Sequence, residues 1–102
     1  MAREKLQTLT EPMYYILLAL LTEQCGVDIM GRVSEISRGR VTVGPGTLYA
    51  MLDRFTESRL IRKTAEEGRR KWYVITEEGR GLLEREQERL RTQWEDGAAL
   101  LK

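Results

Sequence analysis

The chain has 102 residues, 41 % hydrophobic and 32 % charged, which suits one globular domain with a modest core and leaves no room for a catalytic domain beside it. It has no histidine and a single cysteine, Cys25, so a metal site would need carboxylates alone, a Cys/His nucleophile pair is excluded and no intrachain disulfide can form, in keeping with a reducing cytoplasm. A net charge of +1 gives no general affinity for polyanions, so such a partner must be met by a local concentration of charge.

At the N-terminus Arg3 and Lys5 precede the apolar run Met13 to Leu21, with Cys25 beyond it, in loose likeness to an export leader. Glu4, Glu11 and Pro12 interrupt that pattern, Thr22-Glu23-Gln24 are not the small residues of a cleavage site, and a run this short cannot span a bilayer. The expectation is an unexported cytoplasmic protein without membrane contact. Thr10 is placed to cap a first helix with Pro12 in its first turn, running to about Gln24. That helix is apolar or aromatic all round, whereas one core requires only a stripe, so it calls for two partners: its own core and a second protomer. Tyr14, Tyr15 and Leu18 are the candidates for the second contact.

A second helix fits Val27 to Ser37, with Ile29, Val33 and Ile36 inward, Asp28, Arg32 and Glu35 toward water, and Gly39 as a left-handed cap. Cys25, beside Gly26, reads as a small buried residue at a helix end. Val41-Thr42-Val43 alternates like a short strand, and Gly44-Pro45-Gly46 turns the chain into a third helix reaching about Ser58, with Leu48, Leu52 and Phe55 buried. Its outward face then carries Gly46, Thr47, Ala50, Asp53 and Arg54, with Tyr49 on the flank. Small residues let a helix sink into a groove, Thr47 and Arg54 can reach base edges or phosphates, and the Tyr49 hydroxyl can donate to a phosphate oxygen.

Leu60 to Ala65 and Lys71 to Ile75 read as two strands of a hairpin turning at Glu66-Glu67-Gly68, with Tyr73 and Ile75 toward the core. Between Arg59 and Tyr73 six cations face only Glu66 and Glu67. The adjacent Arg69, Arg70 and Lys71 repel one another unless an anion lies alongside, and phosphate is the natural one. The alternative is a solvated run of charge partly balanced by Glu66 and Glu67.

Thr76-Glu77-Glu78 opens a long last helix that continues past Trp94, with Gly97 as a fraying point. Leu83, Leu90, Trp94, Ala98 and Leu101 form one stripe, broken at Gln87, that projects beyond a small core and wants a partner helix. Glu84, Glu86 and Glu88 are spaced by two, so they fan round the helix instead of converging on a reaction site. Nothing here points to an enzyme, a cofactor or a metal. The order of elements predicts a mainly α fold with some β structure: a winged helix-turn-helix with a two- or three-stranded wing sheet and a long C-terminal dimerisation helix. Residues 1–76 form the expected DNA-binding domain, its first helix also in dimer contact, and residues 77–102 the dimerisation helix.

Three blocks, Thr10-Glu11-Pro12-Met13-Tyr14-Tyr15-Ile16-Leu17-Leu18-Ala19-Leu20, Gly44-Pro45-Gly46-Thr47-Leu48-Tyr49 and Gly68-Arg69-Arg70-Lys71-Trp72-Tyr73-Val74-Ile75-Thr76-Glu77-Glu78-Gly79, resemble the PadR family of transcriptional regulators. The likeness extends over about residues 8 to 95, in the family's order and spacing, and is closest to its short subgroup with a single C-terminal helix. It implies a homodimer formed through the C-terminal helix against the partner's N-terminal helix. It also implies repression from duplex DNA and, often, release by a small aromatic effector. By position Thr47 and Tyr49 match the recognition helix, and Arg69, Arg70 and Lys71 match the wing. Cys25-Gly26-Val27 stands where the family often has His-Gly-Tyr, and Val74 where a polar residue often follows the wing's aromatic pair. Both departures are expected to lie off the DNA face.

The expected function is therefore a repressor that binds pseudo-palindromic duplex DNA as a homodimer, with Tyr14, Tyr15, Leu18, Leu83, Leu90, Trp94 and Leu101 at the dimer seam. Trp94 reads first as an aromatic that adds buried area to that seam; the alternative is that, with Tyr15 and Leu18, it lines a cleft for a flat aromatic effector. The alternative is a protein-interaction adaptor on the same scaffold without specific DNA binding, which the near-neutral net charge favours.

Overall fold

The computed structural model describes residues 8–101. Arg3, Glu4 and Lys5, and the outermost residues of the expected 1–76 and 77–102 segments, lie outside them.

Helix α1 (Glu11–Ala19) starts on Thr10, whose hydroxyl accepts from the Met13 amide at 3.4 Å. It stops five residues before the expected Gln24 because the Leu20 carbonyl is claimed from outside, by the Ile75 amide at 2.8 Å. The chain then extends into strand β1 (Gln24–Cys25) and passes directly into α2 (Gly26–Ile36). Helix α2 closes with two left-handed residues, Arg38 (φ 57°) and Gly39 (φ 78°), the Gly39 amide reaching back to the Ser34 carbonyl at 2.8 Å. That bond makes Arg38 the first residue past the helix cap, one position before the expected glycine.

Val41 and Val43 are buried, yet the expected strand is absent there. The Val41 amide donates to the buried Ser37 hydroxyl at 3.0 Å, a local bond that takes the place of a ladder partner. Helix α3 (Pro45–Glu57) follows, with Leu48, Leu52 and Phe55 buried as the periodicity predicts. It ends like α2, Arg59 (φ 63°) turning the chain and the Leu60 amide bonding Phe55 at 2.9 Å.

Strands β2 (Ile61–Glu67) and β3 (Arg70–Ile75) pair antiparallel from Ile61 opposite Ile75 to Glu67 opposite Arg70, with a bulge between Lys63 and Ala65. The turn is therefore Gly68-Arg69, with Gly68 at φ 61°, and Glu66 and Glu67 belong to the strand rather than to the turn. The sheet order is β1-β3-β2, so its third strand comes from the α1–α2 connection and not from Val41 to Val43.

Helix α4 (Glu77–Leu100) begins on Thr76, whose hydroxyl accepts from the Gly79 amide at 3.1 Å. Gly79 sits so tightly against the α3–β2 junction that a Cβ there would lie 2.1 Å from the Leu60 carbonyl oxygen and 2.8 Å from Ile75 Cγ1. That contact aims the helix. Leu82, Leu83 and Glu86 complete the core, whereas every residue from Arg91 to Leu101 except Gly97 is exposed. The projecting end explains a radius of gyration of 14.8 Å, against about 13 Å for a compact chain of this length. Helices α2 and α3 form a helix-turn-helix, and β2 and β3 form its wing.

Candidate nucleic-acid interface

Because Leu48, Leu52 and Phe55 face inward, α3 turns Gly46, Thr47, Tyr49, Ala50, Asp53 and Arg54 to the exposed side. Tyr49, 43 % exposed, lies across the start of α2. A Cβ on Gly26 would stand 3.4 Å from its Cε1, so the glycine gives the ring room. The wing comes up on the other side. Together Cys25, Gly26, Val27, Tyr49, Asp53, Arg69, Arg70, Lys71 and Tyr73 line one open cleft of about 270 Å³. Tyr49 and all three wing cations thus converge, while Thr47 and Arg54 sit on the exposed face of α3 outside the cleft lining.

Asp53 is the one acid in the cleft lining among the described residues, against Arg69, Arg70 and Lys71, and Lys71 also acts on Glu66. Glu66 is engaged by Lys63, an ion pair that holds the Glu66 carboxyl below its ordinary value and raises the Lys63 ammonium. Among the described residues Arg69, Arg70 and Lys71 form no salt bridge. Burial raises the Tyr73 hydroxyl, with Asp53 adding to the effect, and this buried tyrosine is among the residues that line the cleft.

Sequence reasoning gives no role here to Gly26 and Val27. The Cys25-Gly26-Val27 departure, expected to lie off the DNA face, is placed beside the wing cations: all three residues line the cleft, and Val27 is exposed in it. The available signal was Gly26 itself, a glycine immediately before the expected second helix.

A second surface lies between α1 and α4, where Tyr14, Leu18, Leu21, Arg80, Leu83, Glu84 and Gln87 line a groove of about 170 Å³. Leu83 is buried in the chain's own core beneath it. Tyr15 is directed elsewhere: it meets Tyr14 edge to face at 5.7 Å, and its hydroxyl accepts from Arg40 at 2.8 Å. Leu90 is 42 % exposed, Trp94 72 % and Leu101 86 %. Trp94 lies eleven residues beyond Leu83 on α4, about 16 Å along the axis. The α1–α4 groove that Leu18 lines includes neither Tyr15 nor Trp94.

Glu86, read from sequence as one of three fanned carboxylates, is buried. It accepts from the Leu9 amide at 2.7 Å and from Arg89 Nε and Nη2 at 2.7 and 3.0 Å, and Arg89 holds its carboxyl below the ordinary value. Among the described residues no cluster of His, Cys, Asp and Glu forms a metal site, and no helix is long and apolar enough to cross a membrane.

Residues 17–85 match the model of a family described as the transcriptional regulator PadR-like family. A transcriptional regulator of Escherichia coli K12, YqjI, is 32 % identical over 65 residues, 64 % of this chain and 31 % of that protein. An uncharacterised 37.1 kDa protein in transposon TN4556 of Streptomyces fradiae is 39 % identical over 61 residues, 60 % of this chain and 17 % of that protein. The chain thus spans less than a third of these relatives' length. Among solved structures, a PadR family transcription regulator of Clostridium difficile R20291 superposes with a TM-score of 0.72 at 26 % identity, over 88 % of this chain and 98 % of that one. A PadR family regulator of Eggerthella lenta, at 19 % identity, has a TM-score of 0.75 over 89 % of this chain and 81 % of that one, a likeness of fold.

Proposed function

The chain belongs to the PadR-like family of transcriptional regulators, and from that premise we propose that it binds duplex DNA as a homodimer and represses transcription by occupying its operator. In this reading residues 1–76 bind DNA and residues 77–102 dimerise. Helix α3 enters the major groove, Thr47 and Arg54 reach base edges or phosphates, and the wing lies along the backbone. The observation that carries the reading is the cleft in which Tyr49 meets Arg69, Arg70 and Lys71 with no salt bridge to them among the described residues. Such a surface suits phosphate oxygens, which accept from the tyrosine hydroxyl and neutralise the cations.

The exposed Leu90, Trp94, Leu100 and Leu101 on a helix that leaves the core support a second copy as the partner of α4, with the α1–α4 groove beside Tyr14 and Leu18 within its reach. Two-fold symmetry then asks for a pseudo-palindromic operator with half-sites about 10 bp apart. An aromatic effector would sit where Trp94 of one protomer approaches Leu18 of the other. It acts only by preferring one dimer geometry over the other.

A salt titration of duplex binding tests the reading. The logarithm of affinity should fall with the logarithm of salt concentration by roughly 0.9 for each phosphate neutralised. Salt-insensitive binding, or none, would leave the scaffold as a protein-interaction adaptor.

A further inference from the structure

Glycine weakens a helix relative to alanine, so a glycine inside one needs a reason. For Gly79 the reason is internal, since the Leu60 carbonyl leaves no room for a Cβ. Gly46, in the first turn of α3, has none within the described chain; Gly31 in α2 and Gly97 in α4 are as open, but only Gly46 lies on the exposed face of α3 beside Thr47. The φ of Gly46 is not positive, the residue is exposed, and a Cβ built there meets nothing within 4 Å. Gly44, just before the helix, is equally open at φ −77°, an angle any residue adopts. The chain's own packing and backbone would accept alanine at Gly46 and gain helix stability. What shares its exposure is the next residue, Thr47, and Ala50 one turn on.

We propose that Gly46 is a close-approach position: its missing Cβ lets the first turn of α3 seat against the floor of the DNA major groove, at the depth where Thr47 reaches base edges. The inference rests on the DNA-binding function proposed for the chain. It makes Gly46 a determinant of specific affinity, although it has no side chain with which to contact a base. A methyl group there holds the helix off the groove, and the helix itself does not suffer.

The test uses the full chain and the tightest duplex that the parent chain selects from a random library, with a scrambled duplex of the same composition beside it. Gly46→Ala and Gly46→Ser should each melt no lower than the parent and bind the selected duplex more than fivefold more weakly at equal salt. Binding within fivefold of the parent would overturn the inference and leave the DNA-binding reading intact. A lower melting temperature for both variants would overturn it too, since the glycine would then serve the fold. If the parent failed to prefer any selected duplex over the scrambled one, the DNA-binding reading would fall and take the inference with it.

Discussion

A carboxylate with 2 % of its surface exposed must be satisfied by its own chain, and Glu86 is, by the Leu9 amide and by both donor positions of the Arg89 fork. It fastens the segment leading into α1 to the middle of α4. Glu86→Ala leaves the Leu9 amide without its acceptor in a partly buried place, so a loss of about 2 kcal/mol is expected in urea unfolding at neutral pH. The pH dependence has a definite sign. Arg89 holds the folded carboxyl below its ordinary value of 4.5, so the stabilisation is fully present above that value and is lost as pH falls through the lower folded one. Glu86→Gln should therefore flatten the acid side of the stability curve below about pH 4.5. Parallel acid limbs for parent and variant would show that the bond contributes nothing to linkage.

At the level of elements, the fold gathers three wing cations beside a single cleft-lining acid, Asp53. If the wing lies along the DNA backbone as proposed, Arg69→Ala together with Arg70→Ala should weaken binding to all duplexes about equally and flatten the salt slope by about 1 to 2 units, because the two side chains would then serve phosphates and not bases. The far-ultraviolet spectrum should not change, since both side chains are exposed. Equal affinity of variant and parent at one salt concentration would remove the wing from the interface.

The helices were legible because their apolar residues recur at the helical period: Ile29 with Val33, and Leu48 with Leu52 and Phe55, are buried as read. Strand β1 was not, since two residues carry no period and their pairing with Tyr73 and Trp72 is a long-range event. Val41 and Val43 misled for the converse reason, alternating like a strand although a serine hydroxyl satisfies the backbone. The wing cations could be read from their run of charge, but their meeting with Tyr49 and the α2 start depends on how the hairpin packs on two helices. Glu86 was illegible because a buried, bonded carboxylate looks in sequence like any glutamate on a charged face.

At the scale of the whole molecule, the chain leaves a large indole 72 % exposed on a helix end that touches little of its own core. Water is a poor environment for that surface, and a second copy is the partner for which the proposed two-fold operator already asks. If Trp94 is an anchor of the seam, Trp94→Ala should cost the dimer about 3 to 5 kcal/mol, as truncating a well-packed tryptophan does. Operator affinity should fall with it, because half-sites bound by separate protomers lose the advantage of being joined. Diluting the parent should also move tryptophan emission to the red as the indole returns to water. If Trp94 instead serves an effector, the variant should keep dimerisation and operator binding within a few-fold and lose only ligand-induced release. Leu18, in the groove between α1 and α4, would then be the first place to look for the ligand's other contact. Sedimentation and operator titration on this single variant separate the two roles. Loss of dimerisation and operator affinity together assigns Trp94 to the seam, and retention of both with loss of release assigns it to the effector.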